Sequence, residues 1–220
     1  MSAAQLTIAA VMGILAVGLV VTEHGPRDPR RLSLIAALAA AAAAGRVLFT
    51  AVPSVQPVTV IVVATGATLG ARSGFAVGAL APLLSNMIIG QGSWTPGQMA
   101  LWGLAGVVGA ALSRICRRPL GLAAVTFAWG WIFGWGMNLW ELATFGPQVS
   151  VEAFAAKAAT SVWFETAHAV GNVVFALTVG PALVRLLQRY RGRVDVEIDW
   201  EPPDLDAGRS GPARPGAASR

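Results

Sequence analysis

The chain has 220 residues, 55% of them hydrophobic and only 12% charged, with a mean hydropathy of +0.62. Soluble domains carry about twice that charged fraction, so the composition excludes an ordinary water-soluble globule. The net charge of +5 is no nucleic-acid footprint either, because most arginines fall in short connectors between apolar runs, where they carry topology rather than form a stripe.

Seven apolar runs follow one another, and none shows the strand alternation that a barrel requires. They predict membrane spans at 4–22, 32–50, 57–70, 74–90, 98–115, 119–142 and 160–187. The first has no basic residue before it and several after it, the wrong order for a cleaved signal, and is expected to be a retained helix. The third and fourth are short and rich in glycine, so tilted, broken or shielded helices are expected there. Arg27, Arg30 and Arg31 follow the first span, Arg72 the third, and Arg114, Arg117 and Arg118 the fifth. Arg185, Arg189, Arg191 and Arg193 close the seventh. With seven spans all of these share one side, which the positive-inside rule makes cytoplasmic, leaving only Arg46 and Lys157 toward the other. The N-terminus is then outside and the C-terminus in the cytoplasm of a multi-pass cell-membrane protein. Residues 194–220, acidic and then rich in Pro, Gly and Arg, are expected to form a disordered tail, since they bury too little apolar area to offset ordering.

Small residues recur at helical spacing: Ala36, Ala40 and Ala44; Gly66, Gly70, Gly74 and Gly78; Gly103, Gly106 and Gly109. In lipid such stripes let helix backbones approach closely, and internal packing is the first expectation for the glycines. The single cysteine, Cys116, rules out an internal disulfide and a cysteine metal cage, and a buried small residue is the expectation. No P-loop, no HExxH, no metal-ligand spacing and no Ser-His-Asp arrangement is present, so nothing in the chain asks for an enzyme, a metal or a cofactor of its own.

Polar residues inside the spans gather toward the outer side: Arg46 in the second, Asn138 and Glu141 in the sixth, and Glu165, His168 and Asn172 on one face of the seventh. Such groups are costly in hydrocarbon and face a cavity or a partner. An ion pair of Arg46 with Glu141 or Glu165 is the structural alternative to a ligand site. Seven of the eight tryptophans, among them Trp94, Trp102 and Trp131, map to the outer half or near the midplane, unlike a belt at both interfaces. Flat apolar rings beside a few polar groups suit a largely apolar pocket. Between the fourth and fifth spans the loop from Ile89 to Gln98 combines glycines, a proline and amides around one tryptophan, making Gln91, Trp94 and Gln98 candidates for a lid.

The segments Val52-Pro-Ser-Val-Gln-Pro57, Gly66 to Gly78, Ser85-Asn86, Gly90 to Met99 and Trp102-Gly-Leu-Ala-Gly106 resemble the substrate-binding S component of energy-coupling factor (ECF) vitamin transporters, in its cobalamin-type branch. The resemblance covers residues 32–115 and extends further by span count only. It implies an all-α membrane protein: a six-helix S-component core at 32–190, here with an extra N-terminal transmembrane helix at 4–22. It implies an outward-facing vitamin site capped by loops. Taken with the polar residues and tryptophans above, ligand capture then makes Arg46, Gln56, Asn86, Gln91, Trp94, Gln98, Trp102, Trp131, Asn138, Glu141, Glu165, His168 and Asn172 the candidate pocket. The resemblance also implies that Ala36, Ala40 and Ala44 meet a transmembrane coupling subunit, and that two cytoplasmic ATPase subunits supply the energy. Cobalamin is the ligand it suggests. The extra helix and the tail depart from the family pattern. The competing expectations are a membrane enzyme on a polyprenyl or phospholipid substrate, with Glu165 and His168 as acid and base, and a structural membrane scaffold.

Overall fold

The computed structural model describes residues 2–24, 28–146 and 148–194. The expected tail lies outside them from residue 195 onward. Among the described residues the chain is helical, with no strand: α1 (Ala3–Glu23), α2 (Pro29–Leu48), α3 (Val58–Leu69), α4 (Ala71–Ile89), α5 (Trp94–Ala111), α6 (Ser113–Cys116), α7 (Pro119–Phe145), α8 (Val151–Thr178) and α9 (Gly180–Val194). Local chemistry sets several boundaries. Ser2 and Gln5 form a reciprocal capping box at the start of α1, and Asp28 caps α2 by accepting from Arg30 N, with Pro29 in the first turn, so the orphan donors of those turns are satisfied.

Four helices, α1, α2, α4 and α7, are long and apolar enough to cross a membrane, and α8 with α9 supplies a fifth crossing if that bent pair is one span. The seven expected spans therefore do not all meet this test. The seventh, expected as one helix over 160–187, is broken by 59° between α8 and α9. Pro181 lies at the break; it has no N–H to continue the helical ladder, so a bend there has an identifiable cause. The third is the 12-residue α3. Nearly all of α3 is buried, with the other helices rather than lipid around it, so its length has no bilayer to match.

Gly70 alone joins α3 to α4, at φ +92°, a conformation that a side chain strongly disfavours. Beyond this corner, three backbones converge. A Cβ on Gly66 would lie 1.9 Å from Gly106 O, and one on Gly74 would lie 2.7 Å from Gly66 Cα and 2.8 Å from Gly106 Cα. The glycine rows thus seat α3, α4 and α5 against one another, as close packing in a membrane requires.

The carbonyls at the end of α3 take arginines from three other elements. Arg31 donates to Leu69 O (2.6 Å), Arg117 to Ala67 O (3.1 Å) and Arg191 to Thr68 O (3.3 Å). Arg72 similarly donates to Thr22 O near the end of α1 (3.1 Å). Cations here satisfy orphan acceptors and complement the helix dipole. The basic connectors are thereby drawn to one end of the bundle.

The N-terminal α1 lies on α4, α5 and α7 and leaves most of its surface open, with Leu15 its one buried residue. On α2, Ala39, Ala42 and Ala43 are buried, whereas Ala36, Ala40 and Ala44 are exposed on another face. Among the described residues no other helix, α1 included, covers that stripe.

Candidate functional site

The polar residues inside the bundle fall into two systems. The first centres on Arg46, 3% exposed near the end of α2. Its Nε donates to Gln56 Oε1 (3.2 Å), and its Nη1 donates to Ser85 Oγ and to Asn86 Oδ1 (3.0 Å). Asn86 passes the network on, donating from Nδ2 to Thr95 Oγ1 (2.8 Å) and Gln98 Oε1 (2.9 Å). Thr95 in turn donates to Gln91 Oε1 (2.9 Å), and Gln91 Nε2 donates to Leu83 O (2.9 Å). The guanidinium also sits 4.7 Å from the ring centroid of Trp102, a cation–π distance. These groups satisfy one another and tie the end of α2 to α4, the start of α5 and the residues before α3. They make a knot, not a vacancy.

From this knot a second chain of contacts leads across the bundle. Trp102 Nε1 donates to Thr59 Oγ1 (3.1 Å), which shares a hydrogen bond with His168 Nε2 (2.9 Å). With the indole occupying one lone pair of Thr59, the hydroxyl proton is free to go to Nε2, which would leave the imidazole proton on Nδ1. Trp102 stacks on Phe133 with centroids 4.3 Å apart, and Phe133 meets the His168 ring edge-to-face at 5.2 Å. This aromatic wall separates Arg46 from the second system.

Beyond the wall lies a cavity of about 370 Å³ between α7 and α8. Helical spacing explains its walls: Phe133, Gly134, Met137, Asn138 and Glu141 come from α7, and Lys157, Thr160, Ser161, Phe164, Glu165 and His168 from α8, with Ser54 of the α2–α3 connector at one side. Ser54 is the non-glycine residue with positive φ (62°) among those described, a backbone position that usually carries a cost. Gly134 makes room for Glu165, since a Cβ there would fall 2.3 Å from Glu165 Cγ.

Glu165 is 2% exposed. Its Oε1 accepts from Asn138 Nδ2 (3.1 Å) and Ser161 Oγ (2.7 Å), and Asn138 Nδ2 also donates to Ser161 Oγ (2.8 Å). Its Oε2 has no partner among the described residues. Glu141, at the more exposed edge, pairs with Lys157 at 2.6 Å.

Of the thirteen residues expected in a pocket, four line this cavity: Asn138, Glu141, Glu165 and His168. Arg46, Gln56, Asn86, Gln91 and Gln98 lie instead in the knot, and Trp102 in the wall between. Asn172 is spent on Thr126 O (2.9 Å), fastening α8 to α7. Trp94 is 45% exposed beside Gly92 and does not border the cavity. Trp131 packs edge-to-face on Trp135 with centroids 5.8 Å apart, also outside it. The ion pair considered for Arg46 is not formed: neither Glu141 nor Glu165 is within bonding distance, because Lys157 takes Glu141 and neutral acceptors surround the guanidinium.

The sequence reading missed Lys157 and Ser161. Their signal was available, since 157, 161, 165, 168 and 172 continue one helical face. Phe133 and Met137 carried no such mark, being indistinguishable from other apolar residues of a membrane helix. No protein-family model, no curated protein and no solved structure matches this chain.

Proposed function

We propose that this chain is the solute-capturing membrane subunit of an ECF-type vitamin importer. The observation that carries the reading is the 370 Å³ cavity, in which a buried carboxylate, an amide, hydroxyls and an imidazole meet phenyl and thioether side chains. A mostly apolar chamber with a few convergent polar groups is the usual composition of a small-molecule site. Two further features fit. The exposed Ala36, Ala40 and Ala44 offer a small-residue face for a coupling subunit, and α1 leaves it open. The arginines bonded near the ends of α1 and α3 share one end of the bundle, which supports a cytoplasmic assignment for that end, an outside N-terminus, and two ATPase subunits docking from the cytoplasm. The helical core expected of an S component, six spans preceded by an extra one, belongs to this proposal. The cavity has room for about a dozen waters at roughly 30 Å³ each. A corrin with its amide arms is several times larger, so cobalamin would fit only by extending through the open side of the cavity, whereas a smaller vitamin would be held within it.

Native mass spectrometry of freshly purified protein in lipid nanodiscs, followed by titration with cyanocobalamin and with smaller water-soluble vitamins, tests this directly. One retained or saturably bound solute per chain is the expected outcome. An unliganded mass together with no saturable binding of any of them would refute it. A membrane-enzyme reading keeps one observation in its favour: Glu165 and His168 line the same cavity, with Lys157 as a cation at its edge. His168→Ala would then abolish turnover of a polyprenyl or phospholipid substrate, whereas under the capture reading it weakens binding only.

A further inference from the structure

Resting on the capture reading, we infer that the cavity between α7 and α8 selects a small organic monocation, an ammonium or protonated nitrogen base on an apolar body, and that Glu165 is its counter-ion. Three independent features lead there.

The first is hydrogen bonding. Asn138 and Ser161 both donate to Oε1 of Glu165, while Oε2 is buried and has no partner. An unsatisfied buried acceptor costs about 1–3 kcal/mol, and more when charged; Oε2 has no open surface in this arrangement, so a ligand donor reaches it through a small shift of the Glu165 side chain. Oε1 is held in place by two neighbours, which orients the carboxylate before any ligand arrives.

The second is charge. The cavity is lined by two carboxylates, Glu141 and Glu165, and one ammonium, Lys157, and that ammonium is spent on Glu141 at 2.6 Å. Arg46 stands behind the Trp102–Phe133 stack with neutral acceptors around it. Glu165 is the lining carboxylate without an ion-pair partner among the described residues, and the charge of Arg46 reaches the cavity only at His168, across the stack. A neutral amide would satisfy Oε2 without answering the charge of Glu165, and an anionic solute would meet like charge in a poorly screened site.

The third is shape. Phe133, Met137 and Phe164 supply the apolar part of the lining, and aromatic rings favour a cation over a neutral isostere. The volume holds one ring system with a short arm.

The test uses three near-isosteric probes on the full-length protein in nanodiscs, read by saturation-transfer NMR titration: phenethylammonium, 2-phenylethanol and phenylacetate. Phenethylammonium is expected to bind saturably and the other two at least about ten-fold more weakly, the worth of one charge-assisted hydrogen bond. Glu165→Gln should weaken phenethylammonium about ten-fold or more. Because that buried variant can fail to fold, two changes at the more exposed edge act as its check. Glu141→Gln releases Lys157 and should weaken the same probe, whereas Lys157→Met removes the competing cation and should strengthen it. Equal or tighter binding of the alcohol or the carboxylate, or edge variants that shift affinity in the opposite directions, overturns the charge assignment and leaves solute capture standing. Failure of all three probes to saturate also overturns this inference. Only when the native mass spectrum and the vitamin titration are empty as well does the capture reading fall with it.

Discussion

Gly106→Ala tests the packing that positions both polar systems. Its new Cβ would lie 2.2 Å from Gly74 C, 2.4 Å from Gly74 O and 2.7 Å from Gly74 Cα. An ordinary carbon contact needs about 3.5–4 Å, so α4 and α5 must separate by more than an ångström. Every atom met is main chain, and no rotamer change can relieve it. Overpacking of this kind costs about 1–3 kcal/mol, and the absence of a yielding side chain argues for the upper end. Alanine in a helix returns about 1 kcal/mol relative to glycine. The net loss is then about 2 kcal/mol, which for a chain of this size lowers Tm by roughly 4–8 °C. Gly13→Ala on α1 is the matched control, because a Cβ there meets nothing within 4 Å. Thermal unfolding of both variants in one detergent, followed by intrinsic fluorescence, gives the comparison. If Gly106→Ala melts at or above Gly13→Ala, the three-helix glycine junction is not a close contact and the account of α3, α4 and α5 fails.

Arg46→Met should destabilise the protein by about 1–3 kcal/mol, the cost of leaving buried acceptors unsatisfied, because Gln56, Ser85 and Asn86 lose their common donor. Arg46→Lys should not restore the wild-type Tm, since a point ammonium cannot serve three acceptors spread across the guanidinium fork; full rescue in a thermal melt would show that charge alone suffices. At Cys116, the last residue of α6, complete burial pushes the thiol up to about 11. The reactive thiolate is therefore scarce at pH 7–8, and maleimide should label the folded protein slowly there but fully once it is denatured; prompt labelling of the folded state would contradict the burial.

How much of this was readable in the chain depended on what each signal encodes. The glycine rows announced close backbone approach without naming partners, because spacing on one helix is silent about which helix arrives opposite. Arg46 and Glu141 each looked like half of an ion pair. Which groups a long side chain meets depends on the relative placement of four helices, and here Gln56, Ser85 and Asn86 reach Arg46 while Lys157 reaches Glu141. The seventh span read as continuous because hydropathy hardly registers Gly180-Pro181, whereas the backbone ladder does. Span counting by apolar length treats each run as facing lipid, and α3 shows why that misleads. Its sequence is apolar all round because protein surrounds it, and its last carbonyls are closed by Arg31, Arg117 and Arg191 rather than by an aqueous interface.

The separation of the two polar systems bears on how a capture subunit would work. A cation left free beside Glu165 would neutralise it, and the cavity would hold no preference for a charged guest; Lys157, which also lines it, is spent on Glu141. Arg46 is instead satisfied on its own side of Trp102, and the stack of Trp102 on Phe133 keeps its guanidinium out of the lining. The contact Trp102–Thr59–His168 still joins the two sides. A guest that moves His168 or Phe133 would therefore press on the residue over which Arg46 sits, and through it on the ends of α2 and α4. Because α2 also carries the exposed Ala36, Ala40 and Ala44, a continuous set of contacts would run from the cavity wall to the face proposed above for a coupling subunit. Coupling through such a chain needs two distinct arrangements of it, not mere adjacency; the Thr59–His168 hydrogen bond is the element whose making and breaking would define them.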